Sequence, residues 1–102
     1  MNRTQIVEAI GQALSGFKPE IEVLLYGSEA RNEARPDSDI DILVLVDREN
    51  VSIDDELRIT APLYDIELKT GVLINVFIMP KINWGKRITP FYENVTRDAI
   101  AL

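Results

Sequence analysis

Two short stretches hold the residue types that could do chemistry, Gly27-Ser28-Glu29-Ala30-Arg31 and Asp37-Ser38-Asp39-Ile40-Asp41. A Gly-Ser turn at the exit of an apolar run presents free backbone N–H groups and a hydroxyl, an arrangement that holds a phosphate. Asp39 and Asp41 fall on alternate positions entering the next apolar run, so in an extended strand both carboxylates leave the same face. Hard oxygen ligands of this kind suit Mg2+, or Mn2+ in its place, brought in with phosphates. Arg31 either reaches the same phosphate or forms a salt bridge with Asp37 or Asp39 that locks the loop. Ser38 is expected to pin the turn rather than react, because the chain has no histidine to serve as its base.

Composition narrows the chemistry further. The 102 residues, 46% of them hydrophobic, have room for one compact domain, residues 1–102, with a modest core and no visible linker. With neither cysteine nor histidine, disulfides, thiolate or imidazole metal sites and Ser-His-Asp hydrolysis are all excluded. Asp, Glu, Lys, Tyr and a hard cation remain as catalytic parts. A formal net charge of −6 argues against a protein that coats extended nucleic acid, which needs a basic face. Neither a secretory leader nor an apolar run long enough to span a membrane is visible, so the expected location is cytoplasmic.

The elements that must position these residues can be read from periodicity and punctuation. Ile6, Ile10, Ala13, Leu14 and Phe17 recur at helical spacing over residues 3–17, with Asn2 and Gln5 forming a capping pair. Ile21 to Tyr26 reads as a strand, and a short helix is expected over 28–34 with Ser28 as N-cap. In the strand predicted over 38–46, Asp39 and Asp41 share a face with Leu43 and Leu45, while Ile40, Ile42 and Val44 take the other. Ser52 and Asp55 mark a helix start. Leu57, Ala61, Tyr64 and Leu68 then form the expected buried stripe, with a kink or break near Thr60 caused by Pro62. Tyr64 is expected in the core and Glu67 on a solvated face. Val72 to Met79 reads as a central strand covered on both faces, with Asn75 on the face of Leu73, Phe77 and Met79. A loop with Lys81, Trp84, Lys86 and Arg87 follows, in which Trp84 is a base-stacking surface or, more simply, a core plug. Thr89 and Pro90 begin a last helix, and residues 99–102 are apolar enough to dock.

The Gly27-Ser28 pair, Arg31 three residues after that serine, and Ser38-Asp39-Ile40-Asp41-Ile42-Leu43-Val44 resemble the signature of the DNA polymerase β-like nucleotidyltransferase superfamily. More narrowly, the chain looks like a minimal nucleotidyltransferase (MNT-type), and Pro90-Phe91-Tyr92-Glu93-Asn94-Val95 resembles the C-terminal helix of that group. The resemblance implies an α/β (α+β) fold of two layers, a short mixed sheet with helices packed on one face. It implies that Gly27 and Ser28, with Arg31 and Ser38 nearby, hold the phosphates of a nucleoside triphosphate, most simply ATP. It further implies that Asp39 and Asp41 are the catalytic metal ligands, and that a nucleoside monophosphate passes to a hydroxyl on a protein or small molecule.

The superfamily's third carboxylate sits on the neighbouring strand, where this chain has Asn75, an amide that can ligate a metal but cannot take a proton. Two readings follow: a Mg2+-dependent transferase, or a degenerate nucleotidyltransferase-fold module that binds and acts through a partner. Related proteins obtain acceptor recognition from a second domain, a homodimer or a helical HEPN-type partner. In the last case the nucleotidyltransferase serves as the antitoxin of a toxin–antitoxin pair.

Overall fold

The computed structural model describes residues 1–102. Helix α1 (Arg3–Leu14) opens with the expected capping box: the Asn2 side chain accepts from the Gln5 backbone N–H, and the Gln5 side chain accepts from that of Asn2. Strand β1 (Ile21–Tyr26) follows, then a four-residue helix α2 (Gly27–Ala30) and strand β2 (Ile40–Val46). Helix α3 (Ile53–Thr70) crosses back to strand β3 (Ile74–Pro80), and helix α4 (Pro90–Asp98) leads into the two-residue strand β4 (Ile100–Ala101). The sheet order is β3-β2-β1-β4, with β2 and β3 parallel and the other pairs antiparallel. The C-terminal residues dock as expected, since β4 pairs with β1 and the Leu102 N–H donates to the Val23 carbonyl at 2.9 Å.

Alternation along β2 divides the interior. Ile40, Ile42, Val44 and Val46 join Ile6, Ile10 and Leu14 of α1 and Ile59, Leu63 and Ile66 of α3 in the main core. Leu43 and Leu45 point the other way and pack with Val95 of α4 and half-buried Trp84. Thus α1 and α3 layer one face of the sheet, while the short α4 shields part of the opposite face. Asp39 and Asp41 share that second face, as the alternation requires.

Helix α3 departs from expectation in three respects. Its buried residues are Asp55, Ile59, Leu63 and Ile66, whereas Leu57, Ala61, Tyr64 and Leu68 face outward. The two stripes are offset by two residues, roughly 200° around the helix. Both are apolar, so periodicity alone could not choose between them. Tyr64 is therefore exposed, and Glu67 is partly buried, its carboxylate accepting from the Ile74 N–H at 3.0 Å. The break expected near Thr60 is also absent, for α3 runs unbroken through Pro62. An interior proline costs about 3 kcal/mol. Burying Ile59, Leu63 and Ile66 on both sides of it returns about 1.5–3 kcal/mol each, and both ends are fixed, by the Ser52–Asp55 capping box and by Gly71 at φ +72°.

The apolar run after Gly71 was expected to be a central strand, but β3 is an edge. Only Ile74 is fully buried, Phe77 is half exposed, and Pro80 ends the strand where a missing N–H costs nothing. An apolar run measures affinity for burial; whether another strand lies beyond it is decided by the tertiary fold.

Candidate functional site

Register assembles the site across three strands. Tyr26 of β1 faces Asp41 of β2, which faces Asn75 of β3, in one row on the sheet face opposite the main core. Asp39 immediately precedes β2 on the same side. The Asn75 side chain faces the acids as expected: its Nδ2 donates to Asp39 Oδ2 at 3.2 Å and to Asp41 Oδ1 at 3.0 Å. Two carboxylates can be met only by the NH2 end of the amide, so one neutral group bridges both acids.

Gly27 closes the site from the β1 side. Its φ of +76° is a conformation that L side chains rarely adopt, and a Cβ there would stand 2.6 Å from Asp41 Oδ2. Glycine is thus required twice, by the backbone and by the carboxylate packed against it. It is the first residue of α2; the N-cap is Tyr26, which makes no side-chain cap, so Ser28 does not cap the helix as expected. The positive φ of Gly27 lets the chain turn directly from strand to helix and moves the start of α2 one residue ahead of Ser28. The first N–H groups of a helix have no intrahelical partner, and Gly27, where this helix starts, packs against the Asp41 carboxylate.

The loop that delivers Asp39 is tied down by a residue that sequence reasoning missed. The Arg3 guanidinium bonds to the Glu29 carboxylate and donates to the carbonyls of Pro36 at 3.2 Å and Ser38 at 2.7 Å. It therefore fastens α1, α2 and the 36–38 loop together. A lone arginine on the polar side of an N-terminal helix gives no sign of this in sequence. Ser38 pins the turn as expected, its hydroxyl accepting from the Arg35 N–H at 2.9 Å.

Arg31 forms neither of the salt bridges expected of it. It pairs with Glu33 at 3.1 Å and with Asp98 of α4 at 3.2 Å, rather than with Asp37 or Asp39. Asp98 also receives Arg97 at 3.1 Å, and these arginines, Arg97 first, hold its carboxyl below the usual range. Asp98 competes successfully because it is only 11% exposed beside two arginines, whereas Asp37 and Asp39 lie in open solvent. Arg31 thereby ties α2 to α4. Tyr26 is a second residue that sequence did not flag. Burial, and then the neighbouring Asp41 charge, raise its phenol above the ordinary value.

The donor set fits a hard divalent cation. Asp39 and Asp41 converge on a single amide nitrogen, every available ligand atom is oxygen, and rotation of the Asn75 amide would add a third oxygen. No cluster of three acids exists, so the protein supplies two charges and further ligands would come from phosphate and water. Gly27, Asp39, Asp41 and Asn75 are brought together, Ser28 adjoins them, and Arg31 is engaged by Glu33 and Asp98.

Comparison with known proteins places this geometry in a family. Residues 5–99 match the family model described as a nucleotidyltransferase domain, and the chain belongs to that family. It is 31% identical over 105 residues to the Methanocaldococcus jannaschii protein named "Putative protein adenylyltransferase MJ0604", spanning 100% of this chain and 99% of the relative. Among solved structures, one titled "Structure of putative minimal nucleotidyltransferase" superposes with a TM-score of 0.63 at 30% identity, covering 100% of this chain and 97% of the other. The toxin–antitoxin complex MntA-HpeT, as its Y104A mutant, contains a chain that shares the fold. Its TM-score is 0.60 at 17% identity, over 100% of this chain and 72% of that one. No helix of the chain is long and apolar enough to cross a membrane.

Proposed function

We propose that this protein transfers a nucleoside monophosphate, AMP from ATP in the simplest case, to a hydroxyl of a protein or small-molecule acceptor. The observation that carries the reading is the contact between Gly27 and Asp41, which sets the Gly-Ser turn beside the acid pair. Gly27 and Ser28 hold the phosphates there through backbone N–H groups and the Ser28 hydroxyl. Asp39 and Asp41 are the residues that would hold Mg2+ or Mn2+, which when bound neutralises charge on the phosphate oxygens and orients them. The acceptor oxygen forms a bond to the α-phosphorus as the bond to the bridging oxygen breaks and pyrophosphate leaves. Asn75 cannot take the acceptor's proton, so that proton passes to water.

A protein acceptor is favoured by the relative named as a protein adenylyltransferase. The toxin–antitoxin neighbours support a protein partner, and the family resemblance makes it a helical HEPN-type protein with this chain as the antitoxin half; a homodimer is the other assembly that would complete the site. Such a pair would work in the cytoplasm. ATP labelled at the α-phosphate, Mg2+ and the candidate partner should give label transfer that falls about a thousandfold in Asp39→Ala, the loss of several kcal/mol of charge stabilisation. Transfer that persists in this variant would eliminate the mechanism.

Asn75 favours a second reading, a nucleotidyltransferase-fold module that binds nucleotide and acts by occupying its partner. The two separate on Asn75→Asp: if the wild type binds ATP without transferring label and the variant gains transfer, the natural protein is the binding module.

A further inference from the structure

Beside the acids, on the same sheet face, lies an aromatic groove of about 320 Å³ that the phosphate and metal chemistry leaves unused. Phe77 and Met79 of β3 form one wall, Trp84 and the start of α4 the other, with Lys86 and Arg87 at the rim. The rings form a connected set. Phe91 lies 5.5 Å edge-on to Tyr26 and 5.7 Å from Phe77, and Trp84 lies 6.0 Å from Phe91 and 4.8 Å from Tyr92. Phe91 therefore touches both the residue opposite Asp41 and the wall of the groove. The loop is shaped to this packing: Gly85 has φ +86°, and a Cβ there would press within 3.2 Å of the Tyr92 ring. Yet the cluster is not closed, since Phe77 is 51% and Phe91 38% exposed.

We propose that this groove is the nucleobase subsite, in which a purine stacks against Phe77, Phe91 and Trp84 while its phosphates lie at Gly27, Ser28, Asp39 and Asp41. The inference rests on the nucleotidyltransferase reading above. Phe77 follows Asn75 by two residues on one strand face, about 7 Å along β3, the span of a ribose between base and α-phosphate. An apolar, aromatic lining suits a flat ring and not a phosphate, and rim cations next to such a lining favour an electron-rich heterocycle. In a chain of net charge −6, Lys86 and Arg87 at this rim also offset the repulsion that an incoming anion meets.

The chain's one tryptophan, Trp84, reports on the groove directly. In Mg2+, a non-hydrolysable ATP analogue should change Trp84 fluorescence, and inorganic tripolyphosphate should bind without doing so. Phe77→Ala should weaken the analogue about tenfold while leaving tripolyphosphate affinity by calorimetry within about twofold, since base stacking contributes only to the former. Phe77→Leu, which keeps the apolar bulk and removes the π face, should fall between, with circular dichroism verifying that both variants fold. Equal weakening of both ligands, or of neither, overturns the proposal. Unchanged analogue affinity with a raised KM for the acceptor also overturns it, by giving the groove to the acceptor. If the wild type binds neither tripolyphosphate nor the analogue, the nucleotide reading itself fails and the subsite falls with it.

Discussion

Asp55, at the start of α3, is 7% exposed and meets the Ser52 N–H at 3.0 Å, Arg48 at 3.0 Å and Arg58 at 2.7 Å. The Ser52 backbone bond first, and then Arg58, draw its pKa down to about 2. Asp39 and Asp41 have no arginine or lysine within salt-bridge distance and share one neutral amide. A carboxylate that serves the fold is thus surrounded by donors that complete it, and nothing further is needed. The pair on the sheet face retains uncompensated negative charge, and two like charges on adjacent positions of one face favour a cation. The contrast separates an acid that serves the fold from the pair proposed to serve the site, in a chain where Asp and Glu outnumber Lys and Arg by 17 to 11.

The strongest challenge to this contrast comes from Gly27→Ala. A Cβ in the left-handed region strains the fold, and here it also displaces the Asp41 carboxylate, the change that bears on binding. Triphosphate binding measured by calorimetry in Mg2+ should weaken about thirtyfold. Unchanged affinity would mean that the turn and the acids are independent. A smaller effect is expected of Asn75→Asp, which removes the shared donor and adds a third charge. In EDTA its urea-unfolding free energy should drop by about 1 kcal/mol, and millimolar Mg2+ should restore it. A variant as stable as the wild type in EDTA would show that the pair was never short of positive charge.

The smallest effect is expected at the structural acid. Arg58→Gln removes one exposed partner and should lower the unfolding midpoint at pH 7 by about 2 °C. Its acid limb is more informative. Because the folded pKa of Asp55 is depressed, its stabilisation is complete above the unfolded value near 4 and is lost as pH falls towards about 2. Arg58→Gln raises the folded pKa, so thermal melts across that window should show a shallower loss than in the wild type. An identical slope would remove Arg58 from the account.

The parts of this molecule that are legible in sequence are those fixed by neighbours in the chain. The caps at Asn2, Ser52 and Thr89 and the opposed faces of β2 follow from spacing, and the placement of Asn75 towards the acids from the family resemblance. What sequence could not supply are choices made across long separations. Arg31 finds Asp98, sixty-seven residues away, rather than the nearer Asp37 or Asp39. Arg3 reaches Ser38 across thirty-five. The outward turn of Leu57 and Tyr64 was illegible for another reason: α3 is apolar on two sides, and only packing against β2 and α1 selects the stripe led by Ile59 and Leu63.

The alternation along β3 has one more consequence. Ile74, Val76 and Ile78 belong to the core, while Asn75, Phe77 and Met79 belong to the site face. A slip of one residue against β2 would exchange the two sets, putting Asn75 into the hydrophobic layer and an isoleucine or valine beside the acids. The same free-energy difference that penalises misfolding therefore proofreads the site, and chains that pass the test of a sealed core emerge with Asn75 and the aspartates already aligned.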